Sequence, residues 1–211
     1  MRIALLNENS QATKNEVILN ALNIEAEKKG HKVFNYGMYS NDDKKLTYVQ
    51  LGLLAGILIN SGAVDFVVTG CGTGQGAMLA LNSFPNVLCG LVTDPTDAYL
   101  FGQINDGNAI SIPYAKGFGW GSEVTLSYIF EKLFSIPFGG GYPTERRDVE
   151  QANKKILDNV KKITTRSMID ILKDIDKDFL KETIDRDSFK KYFFTEAKDK
   201  EIIEFVRQIL L

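Results

Sequence analysis

The sequence predicts a doubly wound α/β protein: a parallel sheet covered by helices on both faces, followed by a C-terminal helical extension. Three observations carry this reading. Short apolar runs alternate with longer segments of helical period. The runs are continuously apolar instead of alternating with polar residues, as in strands buried on both faces. Strand signals then cease beyond Ile136, while charged helical periodicity continues to the end.

Strands are expected at Ile3 to Leu6, Val33 to Tyr36, Phe66 to Thr69, Val87 to Thr93 and Ala109 to Ile112. The first helix is placed at Thr13 to Lys29, with Val17, Ile18, Ala21, Leu22 and Ala26 on one face. Others follow at Leu46 to Asn60, from Gly76, at Thr96 to Gln103 and at Ser122 to Phe134. Right-handed crossovers between parallel strands put helices on both faces, and ligands of such sheets gather at the carboxyl ends of the strands. Glu8, Cys71, Asp94 and the segment Asn105 to Asn108 lie at such ends or in the loops leading from them. The breaker segment Pro137 to Pro143 divides the chain into an α/β domain, residues 1–140, and a helical extension, residues 141–211. Within the extension, helical period is visible at Val149 to Ile163, Met168 to Leu180 and Ile202 to Leu211.

Composition narrows the function classes. With 25 basic and 27 acidic residues among 211, the chain has no bulk charge to coat a nucleic acid. No apolar stretch approaches a membrane span or a signal segment, so a cytoplasmic protein is expected. Cys71 and Cys89 stand in no CxxC or metal-like spacing; reduced thiols without a structural metal follow. The only histidine, His31, reads as a solvated turn residue.

The segment Gly70-Cys71-Gly72-Thr73-Gly74-Gln75-Gly76 joins a strand to a helix start. Such a turn aims main-chain N–H groups and the positive end of a helix dipole at one point, which favours an anion there. A thiolate is stabilised in that position and can carry a proton, while the amides hold the negative oxygen of an enediolate. Two other readings stand beside this one. Gly72 to Ala77 also fits a GxGxxA dinucleotide fingerprint with Asp94 about 20 residues on, although the turn follows the third strand and a cysteine occupies its tip. A purely structural glycine turn is the other.

This turn, together with Asn105-Asp106-Gly107-Asn108-Ala109-Ile110, resembles the type B ribose-5-phosphate isomerase and galactose-6-phosphate isomerase family over about the first two-thirds of the chain. The resemblance implies a flavodoxin-like fold, a homodimer or homotetramer with sites at the subunit interface, and isomerisation through a cis-enediolate without metal or cofactor. It assigns proton transfer to Cys71, assistance at the substrate oxygens to Thr73, an anion hole to Gly72, Gly74 and Gly76, and substrate hydroxyls to Asn105. Asp106 and Asn108 are read as fixing their loop. Arg146 and Arg147 stand where the family carries arginines that reach a neighbouring subunit's site; arginine suits carboxylate and phosphate equally.

Departures from the family pattern point to the substrate. Where phosphate-sugar members have an Asp-His pair and a histidine before Asn-Asp, this chain has Glu8-Asn9 and Ile104. Opening a cyclic sugar needs acid–base groups at the ring oxygen, so either the substrate is already open or Glu8 takes that task, with Asn9 as a substrate contact. A longer branch of the family, with a similar Asn7-Glu8-Asn9-Ser10-Gln11 start and helical tail, acts on the open-chain 4-deoxy-5-keto-hexuronate. The expected partner is therefore a small sugar acid, with a sugar phosphate as alternative substrate and a catalytically silent subunit of a mixed assembly as a further reading.

Of the remaining features, Tyr114 to Gly121 with Trp120 reads as a loop packing on the core, and Cys89 as a buried small hydrophobe. Asp94 before Pro95 reads as a helix cap, and Lys154, Lys155, Lys161 and Lys162 as a solvated helix face.

Overall fold

The computed structural model describes residues 1–211. Five parallel strands form one sheet: β1 (Arg2–Asn7), β2 (Lys32–Asn35), β3 (Phe66–Cys71), β4 (Cys89–Leu91) and β5 (Ala109–Pro113). Their order across the sheet is β2-β1-β3-β5-β4. Because side chains alternate along a strand, each interior strand feeds both faces. Ile3, Leu5, Phe66, Val68, Ile110 and Ile112 pack on one face, against α1 (Asn15–Glu27), α4 (Pro95–Leu100) and α5 (Ser122–Leu133). Ala4, Leu6, Val67 and Ala109 face the other side, covered by α2 (Tyr48–Asn60) and α3 (Gln75–Asn82). Chain direction reverses between β1 and β3: the path moves outward to β2 through α1 and the opposite way through α2 and α3. The carboxyl ends of those two strands therefore flank the switch point where open α/β sheets bind ligands.

The helical extension continues the second face. It comprises α6 (Arg147–Thr164), α7 (Met168–Asp174), α8 (Lys177–Ile184), α9 (Asp187–Glu196) and α10 (Lys200–Leu210). Met168, Leu172, Leu180, Ile184, Phe189, Phe193, Ile202 and Val206 are buried in the same cluster as the α2 side chains. Five helices stand where three periodic stretches are expected: Asp176 divides Met168 to Leu180 into α7 and α8, and α9 fills a segment where no helix is expected. Ser167, Asp176 and Asp199 each accept a main-chain N–H three residues on and so cap α7, α8 and α10. α6 differs from the others: Glu150 is its one buried residue, and Val149, Ile156, Leu157, Val160 and Ile163 are exposed.

Several boundaries move for identifiable reasons. α2 begins at Tyr48, because Thr47 forms a capping box with Gln50. β4 is shorter than Val87 to Thr93: it has one neighbouring strand, and the Asn82 side chain takes both the N–H (2.9 Å) and the carbonyl (2.8 Å) of Cys89. α4 stops at Leu100 and passes into a wider π-helical turn, Phe101–Asn105. Asp94 accepts from the N–H groups of Thr96 and Asp97, as expected of a cap. Tyr114 is buried and Phe118 packs on the core, as expected of their loop, but Trp120 is fully exposed. Lys161 is also not simply solvated: its ammonium donates to the carbonyl of Asn82 at the end of α3. No helix is long and apolar enough to cross a membrane.

Candidate active site

β3 ends at Cys71, and the glycine turn carries the chain from that strand into α3. A β-carbon at Gly70 would lie 2.3 Å from the carbonyl oxygen of Ile112 and 2.3 Å from the Tyr114 ring, so only glycine lets β3 sit this close to β5 and Tyr114. Gly74 has φ of 73°, left-handed backbone that turns the chain toward α3, and its carbonyl accepts from Ser111 Oγ at 2.6 Å. Fixed in this way, the N–H groups of Gly72, Thr73, Gly74 and Gly76 find no acceptor within the chain. They lie at the N-terminal end of α3, where the helix dipole adds positive potential. Thr73 is exposed, and its hydroxyl accepts from the Gln75 N–H at 3.4 Å.

Cys71 is 7% exposed, and its sulfur leans over Gly76, 3.8 Å from the point where a β-carbon would stand. The Tyr48 ring approaches the same point from α2, at 3.3 Å, and half of this residue remains exposed. Gln11 closes the near side, with Nε2 3.9 Å from the corresponding point on Gly72. Its Oε1 accepts from Lys14 Nζ at 2.7 Å, and that ammonium also donates to the carbonyl of Tyr114. Burial lowers the Lys14 ammonium's pKa from its ordinary value. Tyr48, Gln11 and Lys14 escaped the sequence reading, since a tyrosine at a helix start and polar residues before a helix carry no distinctive pattern.

Glu8 lies on the adjacent strand end. Its N–H donates to the carbonyl of Gly70 at 3.2 Å, which sets it beside the turn, and its carboxylate accepts from Ser10 Oγ at 2.5 Å. Asn9 donates its N–H to the carbonyl of Leu46 at 2.8 Å, tying this end of β1 to the segment preceding α2. Glu8, Asn9, Cys71, Thr73 and the three turn glycines thus share one rim.

Asn105, Arg146 and Arg147 do not join them within the chain. Asn105 precedes β5, at the amino end of the sheet, whereas Cys71 pairs with Pro113 at the carboxyl end. At roughly 3.3 Å per residue the strand between them spans about 13 Å. Asn105 and Arg147 are exposed, Arg147 makes no ion pair within the chain, and Arg146 lies 3.6 Å from Glu150. Asp106, with φ of 48°, accepts from Gln151, and Asn108 bonds the main chain of Asn86 and Leu88; both hold the loop. The only histidine, His31, also lies at the amino end. It is partly buried, edge-on to Phe134 at 5.3 Å, rather than free in a turn.

A doubly wound sheet whose switch point holds a thiol, a carboxylate and a cradle of free amides suits isomerisation of a small carbonyl compound. The model of the family described as Ribose/Galactose Isomerase matches residues 3–148, and a second, described as Ribose-5-phosphate isomerase, matches residues 163–209. The chain belongs to the ribose/galactose isomerase family and is a sugar isomerase of the aldose–ketose type. It is similar to the crystal structure of a 4-deoxy-L-threo-5-hexosulose-uronate ketol-isomerase complexed with a tartrate: 56% identity, 100% of this chain and 99% of that chain covered, TM-score 0.97. A ribose-5-phosphate isomerase from Vibrio parahaemolyticus is 50% identical, with the same coverage and a TM-score of 0.97. A type B ribose 5-phosphate isomerase from Trypanosoma brucei, 19% identical, covers 75% of this chain and shares the fold with a TM-score of 0.63.

Proposed function

We propose that the chain interconverts an aldehyde-end and a ketone-end form of an open-chain uronate, 4-deoxy-5-keto-hexuronate, with Cys71 as the acid–base group. The observation that carries the substrate choice is the absence of an imidazole at the rim. The sole histidine sits at the opposite end of the sheet, and Asn9 stands where the family pattern has one. Without such a group a cyclic hemiacetal is slow to open, whereas an open-chain substrate needs no opening. The similarity to the uronate ketol-isomerase supports the same reading.

In this scheme the thiolate of Cys71 removes the proton from the carbon next to the carbonyl. The C–H electron pair forms the enediolate double bond, and the carbonyl oxygen takes the negative charge, held by the free amides of Gly72, Gly74 and Gly76. The thiol then returns the proton to the neighbouring carbon. The hydroxyl proton passes between the two oxygens with Thr73 and Glu8 in reach, and Asn9 holds a substrate hydroxyl.

The site is completed by a second copy, whose Asn105, Arg146 and Arg147 meet substrate hydroxyls and carboxylate. Their exposure, and the unpaired Arg147, support that assignment. So does the exposed apolar stripe Val149, Ile156, Val160 and Ile163 on α6, because a surface of this kind marks an association face. A cytoplasmic homodimer or homotetramer working without cofactor or metal is the corresponding form.

The decisive assay compares the purified chain on open-chain 4-deoxy-5-keto-hexuronate, ribose 5-phosphate and galactose 6-phosphate. The uronate is expected to give the highest kcat/KM. A higher value for ribose 5-phosphate would replace it with the sugar-phosphate reading, which the Vibrio parahaemolyticus similarity favours. No turnover of any of the three without a second polypeptide would favour a silent subunit.

A further inference from the structure

We propose that Arg186, carried by the helical extension, is a positioning residue for the sugar site: it pins the segment Asp43 to Leu46 and thereby sets where Asn9 and Tyr48 stand beside Cys71. The inference rests on the reading of that rim as the substrate site.

Residues 39–45 form an almost wholly exposed excursion between β2 and α2. An open groove of about 680 Å³, lined by charged and polar side chains including Lys44, Lys45, Asp178 and Lys181, separates this excursion from α8. Little apolar packing therefore holds its outer part.

Arg186, 3% exposed between α8 and α9, makes the connection. Its guanidinium lies 3.0 Å from the Asp43 carboxylate and donates to the carbonyl of Lys44 at 2.6 Å. The same Asp43 oxygen accepts the Tyr39 N–H at 3.1 Å, closing the excursion on itself. Asp43 is so tightly fitted that a β-carbon on Gly37 would fall 2.9 Å from it. The outer pair Lys44–Asp185, at 2.9 Å, is exposed and adds little.

From Lys44 the path to the site is short. Leu46 donates its N–H to Met38 Sδ at 3.3 Å and accepts the Asn9 N–H. Thr47 caps α2, and Tyr48, its first residue, overhangs Gly76 and the Cys71 sulfur. A shift of this segment thus moves a main-chain anchor of Asn9 and the ring beside the thiol together, and small misplacements of positioning groups are costly to catalysis. Arg186 lies outside residues 3–148, the part matched by the Ribose/Galactose Isomerase model, so the clamp comes from the extension.

The test uses the full chain with Arg186→Lys and Asp43→Asn, and with Lys173→Ala, which breaks the exposed Lys173–Glu201 pair, as the control in the extension. Three quantities are read: peptide-resolved amide exchange, the rate of Cys71 alkylation by iodoacetamide, and steady-state kinetics on whichever of the three sugars the wild type turns over. Expected for both clamp variants are faster exchange confined to residues 37–50, an altered alkylation rate, and a KM raised about tenfold with a smaller change in kcat. Lys173→Ala should match the wild type throughout. Unchanged exchange in 37–50, an unchanged KM, or exchange accelerated equally across α7–α10 would overturn the proposal. If the wild type turns over none of the sugars, the functional reading fails, while exchange and alkylation still decide whether the clamp holds the segment.

Discussion

The Cys71 sulfur and the Tyr48 ring converge on Gly76, 3.8 Å and 3.3 Å from the place a β-carbon there would occupy. Thiol, aromatic wall and helix N-terminus thus meet at a residue with no side chain, which keeps main-chain N–H groups open to a ligand.

Cys71→Ala should abolish exchange of the transferable substrate proton with solvent and lower kcat by about 10²–10⁴-fold, the usual contribution of a positioned acid–base group. Circular dichroism and thermal midpoint should stay near wild type, because the side chain is small and stands at a rim. Turnover close to wild type in this variant would remove the thiol from the mechanism.

Gly70 and Gly72, two residues apart, should respond differently to alanine. Gly70→Ala sets a methyl against the Ile112 carbonyl and the Tyr114 ring, both at 2.3 Å, and should cost about 3 kcal/mol or more in urea unfolding. Gly72→Ala meets nothing closer than 3.7 Å, so stability should change by less than about 1 kcal/mol. Activity in Gly72→Ala should nevertheless fall, since its methyl enters the mouth of the amide cradle. Equal stability of the two variants would show that β3 can draw away from β5.

Because Asn105 and Cys71 lie at opposite ends of the sheet, each site should draw on two chains. Cys71→Ala and Asn105→Ala, each inactive alone, should recover about one quarter of wild-type activity when mixed and reassembled, since half of randomly formed dimers hold one intact site. Ile156→Asp on the exposed stripe of α6 should shift the assembly toward monomer in sedimentation and abolish that recovery. Complementation that never exceeds the sum of the separate variants would mean a site built within one chain.

The single imidazole can be followed directly by NMR. Burial against Phe134, the Met1 ammonium and Lys29 all hold His31 below its ordinary value of 6.5. The unfolded chain then takes up a proton before the folded one, so this residue contributes stability that is complete above about pH 6.5 and is lost as pH falls through the lower folded-state midpoint. A midpoint at or above 6.5 in the folded chain would contradict the packing shown.

Strand and helix identities and the cysteine-bearing turn were legible in the sequence, because burial on two faces and a strand–turn–helix link are local patterns that periodicity and glycine spacing expose. Within the extension the break at Asp176 and the helix α9 were missed: Asp176 looks like an ordinary member of an amphipathic run until its side chain caps a main chain, and no capping side chain marks the start of α9. The site was legible only in part. Which residues share a rim depends on the strand order and the direction of each crossover, which bring β1 beside β3 and so Glu8 beside Cys71, and send Asn105 to the far end. Tyr48, Gln11 and the Arg186–Asp43 contact depend on packing between segments far apart in the chain, where no local pattern constrains the partner; only the folded arrangement decides them.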